Sequence, residues 1–182
     1  MRKFLMALFM VGFLVGLAGT ASAAITFSEF PVGTVISNQY APEVYFLPGT
    51  NGNYPIIAND GAMPDSPVLS PNPVYAGDFW MEFPGAPSQV SFDSGYWDTL
   101  GSGIINVFSP IGNFIEGLTD TSYGVDHFDI SGVGPIGYVY FNSASDPFGA
   151  DIDNLSVPEP ATMLLLGFGL LGLAGFRKKF RG

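Results

Sequence analysis

The residues of this sequence that could do chemistry are mainly carboxylates, and they lack positively charged neighbours. The chain has 182 residues, with 16 Asp and Glu side chains, a single His and no Cys. Every acid except Glu159 lies between residues 24 and 157, and that segment contains no Lys or Arg. A carboxylate drawn into its interior must be satisfied by backbone N–H groups, by protonation or by a bound cation. The same acidic balance argues against nucleic acid as a partner, because phosphates are bound by Lys and Arg.

Three acids come together if the first and last apolar stretches of this segment pair as strands. Alternate residues of a strand share a face. In the first stretch, one face carries Ile25, Phe27 and Glu29. In the last stretch, one face carries Asp151, Asp153, Leu155 and Val157. Matching apolar residues to each other sets Ile25 opposite Val157. The same antiparallel register sets Glu29 opposite Asp153, with Asp151 close by.

Facing carboxylates without Lys or Arg between them need another positive charge. Calcium is a hard ion that takes several oxygen ligands, including backbone carbonyls. The pattern therefore predicts a structural calcium ion bound by Glu29, Asp151 and Asp153. The alternative is that these acids lie at a solvated rim and bind nothing.

His127 could act as a base, and it lies in the segment Asp126-His127-Phe128-Asp129. If Phe128 points inward, His127 and Asp129 point outward together. They could then act as a metal-ligand pair or as a base with its orienting acid. The alternative, which we favour, is that they simply lie on the solvent-exposed face of a strand.

The sequence offers little evidence for catalysis. It has no Cys and no Gly-x-Ser-x-Gly turn, and pairs of acids suited to glycoside hydrolysis arise by chance among so many carboxylates. We therefore predict that the protein is not an enzyme.

Aromatic side chains in polar segments offer a second kind of chemistry. Tyr96 and Trp97 lie between Asp93 and Asp98. A sugar has an apolar ring face and a rim of hydroxyl groups, which suits an aromatic ring beside carboxylates and amides. We predict Tyr96 and Trp97 as glycan-binding residues, and the alternative is the ordinary packing of large side chains at the end of a strand.

Short alternating apolar runs, separated by Gly, Pro, Asn and Asp, must position these residues and predict an all-β fold. One run carries Phe79, Met81 and Phe83 on one face and Trp80 and Glu82 on the other. Residues 109–113 look like the turn of a hairpin. About eight such runs favour a single jelly-roll-like β-sandwich over residues 24–156. A Pro-rich stretch at 47–73 interrupts the pattern, and we predict a mobile insertion there, with a functional loop as the alternative.

Residues 1–23 have the layout of a secretory signal peptide. Arg2 and Lys3 give a positive start, an apolar run extends from Phe4 to about Leu17, and Ala21-Ser22-Ala23 has the small-x-small form of a cleavage site. We expect a signal helix that signal peptidase removes after Ala23. The alternative is an uncleaved anchor helix.

Residues 157–182 form a separate tail, which begins with Val157-Pro158-Glu159-Pro160. An uncharged run at 161–176 follows, and the basic residues after it are Arg177, Lys178, Lys179 and Arg181. A helix of that length nearly spans the hydrocarbon core of a bilayer, and its basic end stays on the cytoplasmic side. We predict a transmembrane helix at 161–176 that holds the acidic segment on the opposite side of the membrane.

This tail resembles the PEP-CTERM sorting signal of bacteria. The resemblance is carried by the Pro-Glu-Pro motif, the Gly- and Leu-rich span from Met163 to Gly175, and the basic cluster. It implies that an exosortase in the membrane reads the tail, cuts near the motif and delivers the protein to the cell surface or the extracellular space. It also implies an association with exopolysaccharide and biofilm. The alternative is a plain tail anchor, which has no need of the motif.

The segment between the two ends resembles sandwich domains related to carbohydrate-binding modules. The resemblance is carried by the opening from Phe27 to Phe46 and by the closing Phe148-Gly149-Ala150-Asp151-Ile152-Asp153-Asn154-Leu155. It implies a structural calcium ion between the first and last strands. We therefore expect an exported, exosortase-sorted and non-catalytic surface or matrix protein that binds glycan. The alternatives are a structural matrix protein without a discrete ligand and a carbohydrate-active enzyme.

Overall fold

The computed structural model describes residues 24–61, 63 and 66–158, which lie within one compact unit, Ser22–Pro158. Its strands are β1 (Ala24–Ile25), β2 (Tyr45–Leu47), β3 (Ile56–Ala58), β4 (Val68–Ser70), β5 (Asp78–Glu82), β6 (Gln89–Trp97), β7 (Ile104–Phe108), β8 (Phe114–Leu118), β9 (Gly124–Ser131), β10 (Tyr138–Asn142) and β11 (Asp151–Ser156). The predicted signal helix at 1–23 and membrane helix at 161–176 fall outside the described residues. Within those residues, no helix is long and apolar enough to cross a membrane.

The strands form two antiparallel sheets. The six-stranded sheet has the order β3-β4-β11-β6-β9, and β1 also pairs with β11. The five-stranded sheet has the order β2-β5-β10-β7-β8. The prediction of an all-β sandwich is therefore confirmed.

A single apolar core joins the two sheets. Phe79 and Met81 of the five-stranded sheet and Phe92 and Ile130 of the six-stranded sheet all belong to it and are almost completely buried. Burial of each such side chain contributes about 1.5–3 kcal/mol relative to leaving it exposed. The alternation seen in the sequence therefore places one face of each sheet against the other.

Two local predictions are confirmed by this architecture. Residues 109–113 make the turn between β7 and β8, because the Ser109 N–H donates to the Asn113 carbonyl oxygen at 2.8 Å and the Gly112 N–H donates to the Ser109 carbonyl oxygen at 2.9 Å. In β9, Phe128 and Ile130 are buried and His127 is exposed, as the alternating pattern predicts.

The Pro-rich stretch at 47–73 is not an insertion outside the fold, which corrects the prediction. It contains β3 and β4, which pair antiparallel with Ile57 opposite Leu69. Both of these side chains are almost completely buried in the core. Pro55 and Pro67 each precede a strand directly, where the missing backbone N–H costs no hydrogen bond inside the ladder.

The register between β1 and β11 also differs from the prediction. The two strands are antiparallel, but Ile25 lies opposite Leu155 rather than Val157. The strand ends at Ile25, and Phe27 has a left-handed φ of 57° that turns the chain. Phe27 is fully buried and packs edge-on against Phe46 at 6.0 Å between ring centres. Glu29 consequently does not extend the ladder toward Asp153.

A bulge in β11 changes which of its side chains share a face. Asn154 has a φ of 51°, and the pairing of β11 with β6 shifts register between Asp153 and Ser156. Ile152 and Leu155 therefore both reach the core, although they are three residues apart. The expectation that Leu155 shares a face with Asp151 is wrong for this reason.

Candidate ligand-binding face and buried carboxylates

The outward face of the five-stranded sheet carries a strip of aromatic rings, which we call the aromatic face. Its rings belong to four neighbouring strands and are Trp80 of β5, Tyr138 and Tyr140 of β10, Phe108 of β7 and Phe114 of β8. Strand alternation explains the arrangement, because the residues next to them in sequence, such as Phe79 and Val139, point into the core. The sheet therefore has one apolar side in the core and a second apolar side facing outward.

The rings of the aromatic face contact one another across the strands. The ring centre of Trp80 lies 4.7 Å from that of Tyr140 and 5.3 Å from that of Phe108. Phe114 packs edge-on against Phe108 at 5.8 Å and is 60% exposed. Gly117 lies beside this ring, and a Cβ there would be in ordinary contact with the Phe114 ring at 3.6 Å and in tight contact with the Asn106 Oδ1 at 3.1 Å. These contacts hold the rings in fixed positions while leaving their outer surfaces accessible.

A cleft of about 520 Å³ opens on this face. Its lining is mostly apolar and consists of Leu47, Pro48, Trp80, Phe108, Gly112 and Tyr138. Small-molecule sites are typically concave and mainly apolar, with a few polar groups that fix orientation. The cleft therefore has the size and chemistry of a ligand site.

Polar groups stand beside the rings. Asp78 accepts hydrogen bonds from the Thr50 N–H at 2.8 Å and from the Tyr140 hydroxyl at 2.9 Å. Burial, the hydrogen bond to Asp78 and the charge of Asp78 raise the pKa of Tyr140 to about 12. The Tyr140 hydroxyl therefore remains protonated at neutral pH and fixes the edge of the strip. Glu82 lies at the end of β5, paired with Tyr45 and Tyr138.

The two predicted glycan-binding residues point in opposite directions. Tyr96 is 45% exposed, whereas Trp97 is fully buried and packs against Phe141 in the core. Trp97 is therefore not available to a ligand at the surface, which corrects that part of the prediction, because neighbours in a strand face opposite sides. Tyr96 stays a prediction as a glycan-binding residue.

The aromatic face was predicted only in part. The sequence pattern placed Trp80 on the opposite side of β5 from Phe79 and Met81, but it did not show that rings from three other strands lie beside Trp80.

His127 pairs with a different acid from the one next to it in sequence. Its Nδ1 lies 2.7 Å from an oxygen of Asp93, and the side chain of His127 is 62% exposed. Asn154 donates from its side-chain amide to the other oxygen of Asp93 at 2.9 Å. Asp129 instead accepts a hydrogen bond from Gln89 at 3.1 Å. The outward face of β6 and β9 is thus a polar, solvated surface.

This pairing shows how a carboxylate that faces another carboxylate in the sheet is compensated without Lys or Arg. The residue opposite Asp153 in the sheet is Asp93, not Glu29. Two carboxylates at such a position destabilise a sheet unless they are compensated. His127 and Asn154 supply the compensation by bonding to both oxygens of Asp93.

Glu29 is placed differently from the prediction. It is exposed, and it accepts a hydrogen bond from the Tyr40 hydroxyl at 2.9 Å. Burial, the hydrogen bond to Glu29, and the charges of Glu29 and Asp153 raise the pKa of Tyr40. The Tyr40 hydroxyl therefore lies near both acids.

Other buried carboxylates are satisfied by backbone N–H groups. Asp146 accepts hydrogen bonds from the N–H groups of Asp98 at 2.9 Å, Thr99 at 3.1 Å and Phe148 at 3.1 Å. Asp120 likewise accepts a hydrogen bond from the Gly103 N–H at 2.6 Å. Hydrogen bonds to an ionised group stabilise the charge that burial would otherwise disfavour. These acids hold loops at the ends of the strands.

Asp151 is satisfied in another way. It is fully buried, and within the described part of the chain no N–H or hydroxyl of another residue donates to its carboxylate oxygens. Burial, followed by the charge of Asp60, a hydrogen bond with the Asp60 carboxyl and the charge of Asp153, raises the pKa of Asp151 to about 9. Tyr75 lies nearby, and burial together with the charges of Asp60 and Asp151 raises its pKa as well. With its pKa at about 9, the Asp151 carboxyl holds a proton at neutral pH.

The predicted calcium ligands do not converge in the described structure. Asp151 and Asp153 are buried and Glu29 is exposed beside Tyr40. Across residues 24–61, 63 and 66–158, no three His, Asp or Glu side chains are grouped so that they could hold a metal ion. Calcium therefore stays a prediction from the sequence.

A melting scan of the full chain checks the calcium prediction. A structural ion that binds only the folded state raises stability with concentration, so the prediction requires the unfolding midpoint to fall by several degrees in EDTA. It also requires the midpoint to return when millimolar calcium, but not magnesium, is added. Unchanged unfolding under both conditions eliminates the site at Glu29, Asp151 and Asp153.

Comparison with protein families finds the PEP-CTERM protein-sorting motif over residues 156–179. The match contains Val157-Pro158-Glu159-Pro160, the uncharged run and the first three basic residues of the tail, so this prediction is confirmed. The motif implies export, a C-terminal membrane anchor before processing, and processing by an exosortase. No curated protein matches the chain significantly. Residues from Glu159 onward lie outside the described structure.

Proposed function

We propose that this chain, whose PEP-CTERM motif marks it as an exosortase-sorted surface protein, is a non-catalytic glycan-binding protein of the exopolysaccharide matrix. The observation that carries the proposal is the aromatic face, where the ring centre of Trp80 lies within 5.3 Å of those of both Tyr140 and Phe108 on an outward sheet surface. Aromatic rings with an apolar body and a polar edge are typical of recognition surfaces. Exposed apolar surface of this kind is a mark of ligand or partner binding.

The chemistry of the face suits a sugar. Each sugar ring has C–H groups on a flat side that pack on an aromatic ring, and hydroxyl groups at its edge that need polar partners. Here the rings supply the packing surface, and Glu82, Asn106 and Asn142 supply oxygen and amide groups on the same side of the sheet. The arrangement thus offers both kinds of contact on one face of the sheet.

The same groups support a binding role over a catalytic one. Asp78, the buried acid of this face, already bonds to Thr50 and Tyr140. A carboxylate held in this way positions the edge of the strip and is not poised to transfer a proton. Binding to matrix polysaccharide would retain the protein near the cell after the tail has been processed.

Replacing Trp80 by alanine tests the proposal. The full chain, purified in a neutral detergent, is mixed with insoluble cellulose, curdlan and mannan, and with beads that carry alginate or polygalacturonate. We expect the parent protein to be retained on at least one of these materials. We expect Trp80→Ala to weaken that retention at least tenfold, because the Trp80 ring packs on two other rings of the strip and its loss breaks the surface.

Two matched variants give the controls. Phe148 is 76% exposed and lies outside the aromatic face, so Phe148→Ala should bind as the parent does. Tyr96→Ala tests the site predicted from sequence, and loss of binding there with Trp80→Ala unaffected would contradict the aromatic-face proposal. Retention of the parent on none of the materials would favour a structural matrix protein without a discrete ligand.

A further inference from the structure

The aromatic face has negative but no positive charge. Asp78 and Glu82 are the acids of β5 on its outward side. The sequence has no Lys or Arg between residues 24 and 158. The single histidine is bonded to Asp93 on the other sheet. A ligand on this face therefore meets acceptors, amides and hydroxyl groups, and it meets no cation.

Resting on the proposed function, we infer that the aromatic face binds an uncharged polysaccharide chain and discriminates against polysaccharides that carry carboxylate or sulfate groups. Ring stacking itself does not distinguish the two classes, because neutral and acidic sugars both have an apolar face. The charge of the domain makes the distinction. An acidic sugar would lie beside Glu82 without a compensating charge, and such like-charge contacts suppress the wrong partner.

Recognition of an acidic sugar commonly uses Lys or Arg side chains, and this domain has neither. Carboxylate and sulfate groups are bound by Arg, often through two parallel hydrogen bonds, or by Lys as a point charge. Neither residue type occurs in the segment 24–158. Hydroxyl groups of a neutral sugar, in contrast, can donate to Glu82 and can both donate to and accept from Asn106 and Asn142.

The extent of the aromatic strip favours a chain over a single sugar. The rings are carried by β5, β10, β7 and β8, which are successive neighbours in the sheet. The ring centre of Phe108 lies 5.3 Å from that of Trp80 and 5.8 Å from that of Phe114, so the end rings of the strip lie roughly 10 Å apart across neighbouring strands. The cleft opens along the Trp80 end of the strip, beside Leu47 and Pro48. This length accommodates at least two consecutive sugar units.

Retention on neutral and on acidic materials tests the inference with the full chain in neutral detergent. We expect at least tenfold stronger retention on one of cellulose, curdlan and mannan than on alginate or polygalacturonate beads. We expect high salt to leave the neutral binding unchanged, because no ion pair contributes to it. Equal or stronger retention on either acidic material, lost in the Trp80→Ala variant, overturns the inference while the proposed glycan-binding function stands. Retention on no material contradicts both.

Substitutions of Glu82 test the role of charge directly. Glu82 is partly exposed at the end of β5, so its replacement should leave the fold intact, and thermal melting checks this. Glu82→Lys should increase retention on alginate at low salt, and high salt should remove the gain. Glu82→Gln removes the negative charge and adds no positive one, so its gain in alginate retention should be smaller than that of Glu82→Lys. No gain in Glu82→Lys, with folding intact, contradicts the electrostatic basis of the selectivity.

Discussion

Replacing Trp97 by alanine is expected to lower the free energy of unfolding by about 3–5 kcal/mol, the usual cost of truncating a large core aromatic. Trp97 is fully buried at the end of β6, and its ring lies 6.1 Å from that of Phe141 on the opposite sheet. It also covers Gly103 so closely that a Cβ there would lie 2.7 Å from the indole ring. The side chain therefore joins the two sheets and a loop, and urea unfolding of the variant measures its contribution.

Two further variants separate this effect from ligand binding. Trp97→Phe should lose much less stability, because most of the ring volume remains and because no described residue accepts a hydrogen bond from the buried indole N–H. Tyr96→Ala removes a side chain that is 45% exposed and should change the midpoint little. Equal stability of Trp97→Ala and Tyr96→Ala would contradict the placement of Trp97 in the core.

The sequence pattern predicted the fold class because most of its strands alternate regularly. Phe79 and Met81 in β5 and Phe128 and Ile130 in β9 are buried as the alternation requires. The pattern failed where the backbone departs from a regular strand. The left-handed φ of Phe27 ends β1 early, and such a turn is rare for a residue with a side chain.

Short strands between prolines were also missed. Strands β3 and β4 have three residues each, which is too short for alternation to be visible. Ile57 and Leu69 are buried only because the two segments meet each other and the remaining core. That contact joins segments separated by residues 59–67 and is not encoded in the spacing of either one.

The candidate ligand site could be predicted only in part, because it depends on strand order. The sequence places Trp80 on the face opposite Phe79, but it does not say which strands neighbour β5. The order β5-β10-β7-β8 brings Tyr140 and Phe108 to Trp80, although they are far apart in sequence. Residues that are adjacent in a strand, such as Tyr96 and Trp97, are in contrast directed to opposite faces.

The absence of Lys and Arg predicted that interior acids need other partners, and the structure shows three kinds. Asp146 is bonded by backbone N–H groups and Asp93 by His127 and Asn154, whereas Asp151 holds a proton of its own at neutral pH. The place of each acid along the backbone explains which kind of partner it has. Asp146 follows β10 in a loop where several N–H groups are free of the ladder, whereas Asp151 lies within β11, where the N–H groups belong to the sheet.

The raised pKa of Asp151 predicts that the stability of this domain falls as pH rises from about 4 to 9. The usual pKa of Asp151 is 3.8, and burial, Asp60 and Asp153 raise it to about 9 in the folded state. Between these values the folded state binds a proton that the unfolded state releases. Stability therefore declines with rising pH, since fewer protons are bound in the unfolded state than in the folded state. The stability that protonated Asp151 contributes is fully present below pH 3.8 and is lost as pH rises through about 9.

Thermal melting from pH 5 to pH 9.5 in EDTA measures this dependence without interference from metal ions. Asp151→Asn removes the titrating carboxyl and keeps its shape, and its amide can donate a hydrogen bond to Asp60 without an added proton. The variant should therefore melt at nearly the same temperature across the range and should exceed the parent at pH 9.5. Glu43→Gln removes an exposed acid and should follow the parent curve. Parallel curves for the parent and Asp151→Asn would contradict the raised pKa of Asp151, because the decline would then arise from other titrating groups of the domain.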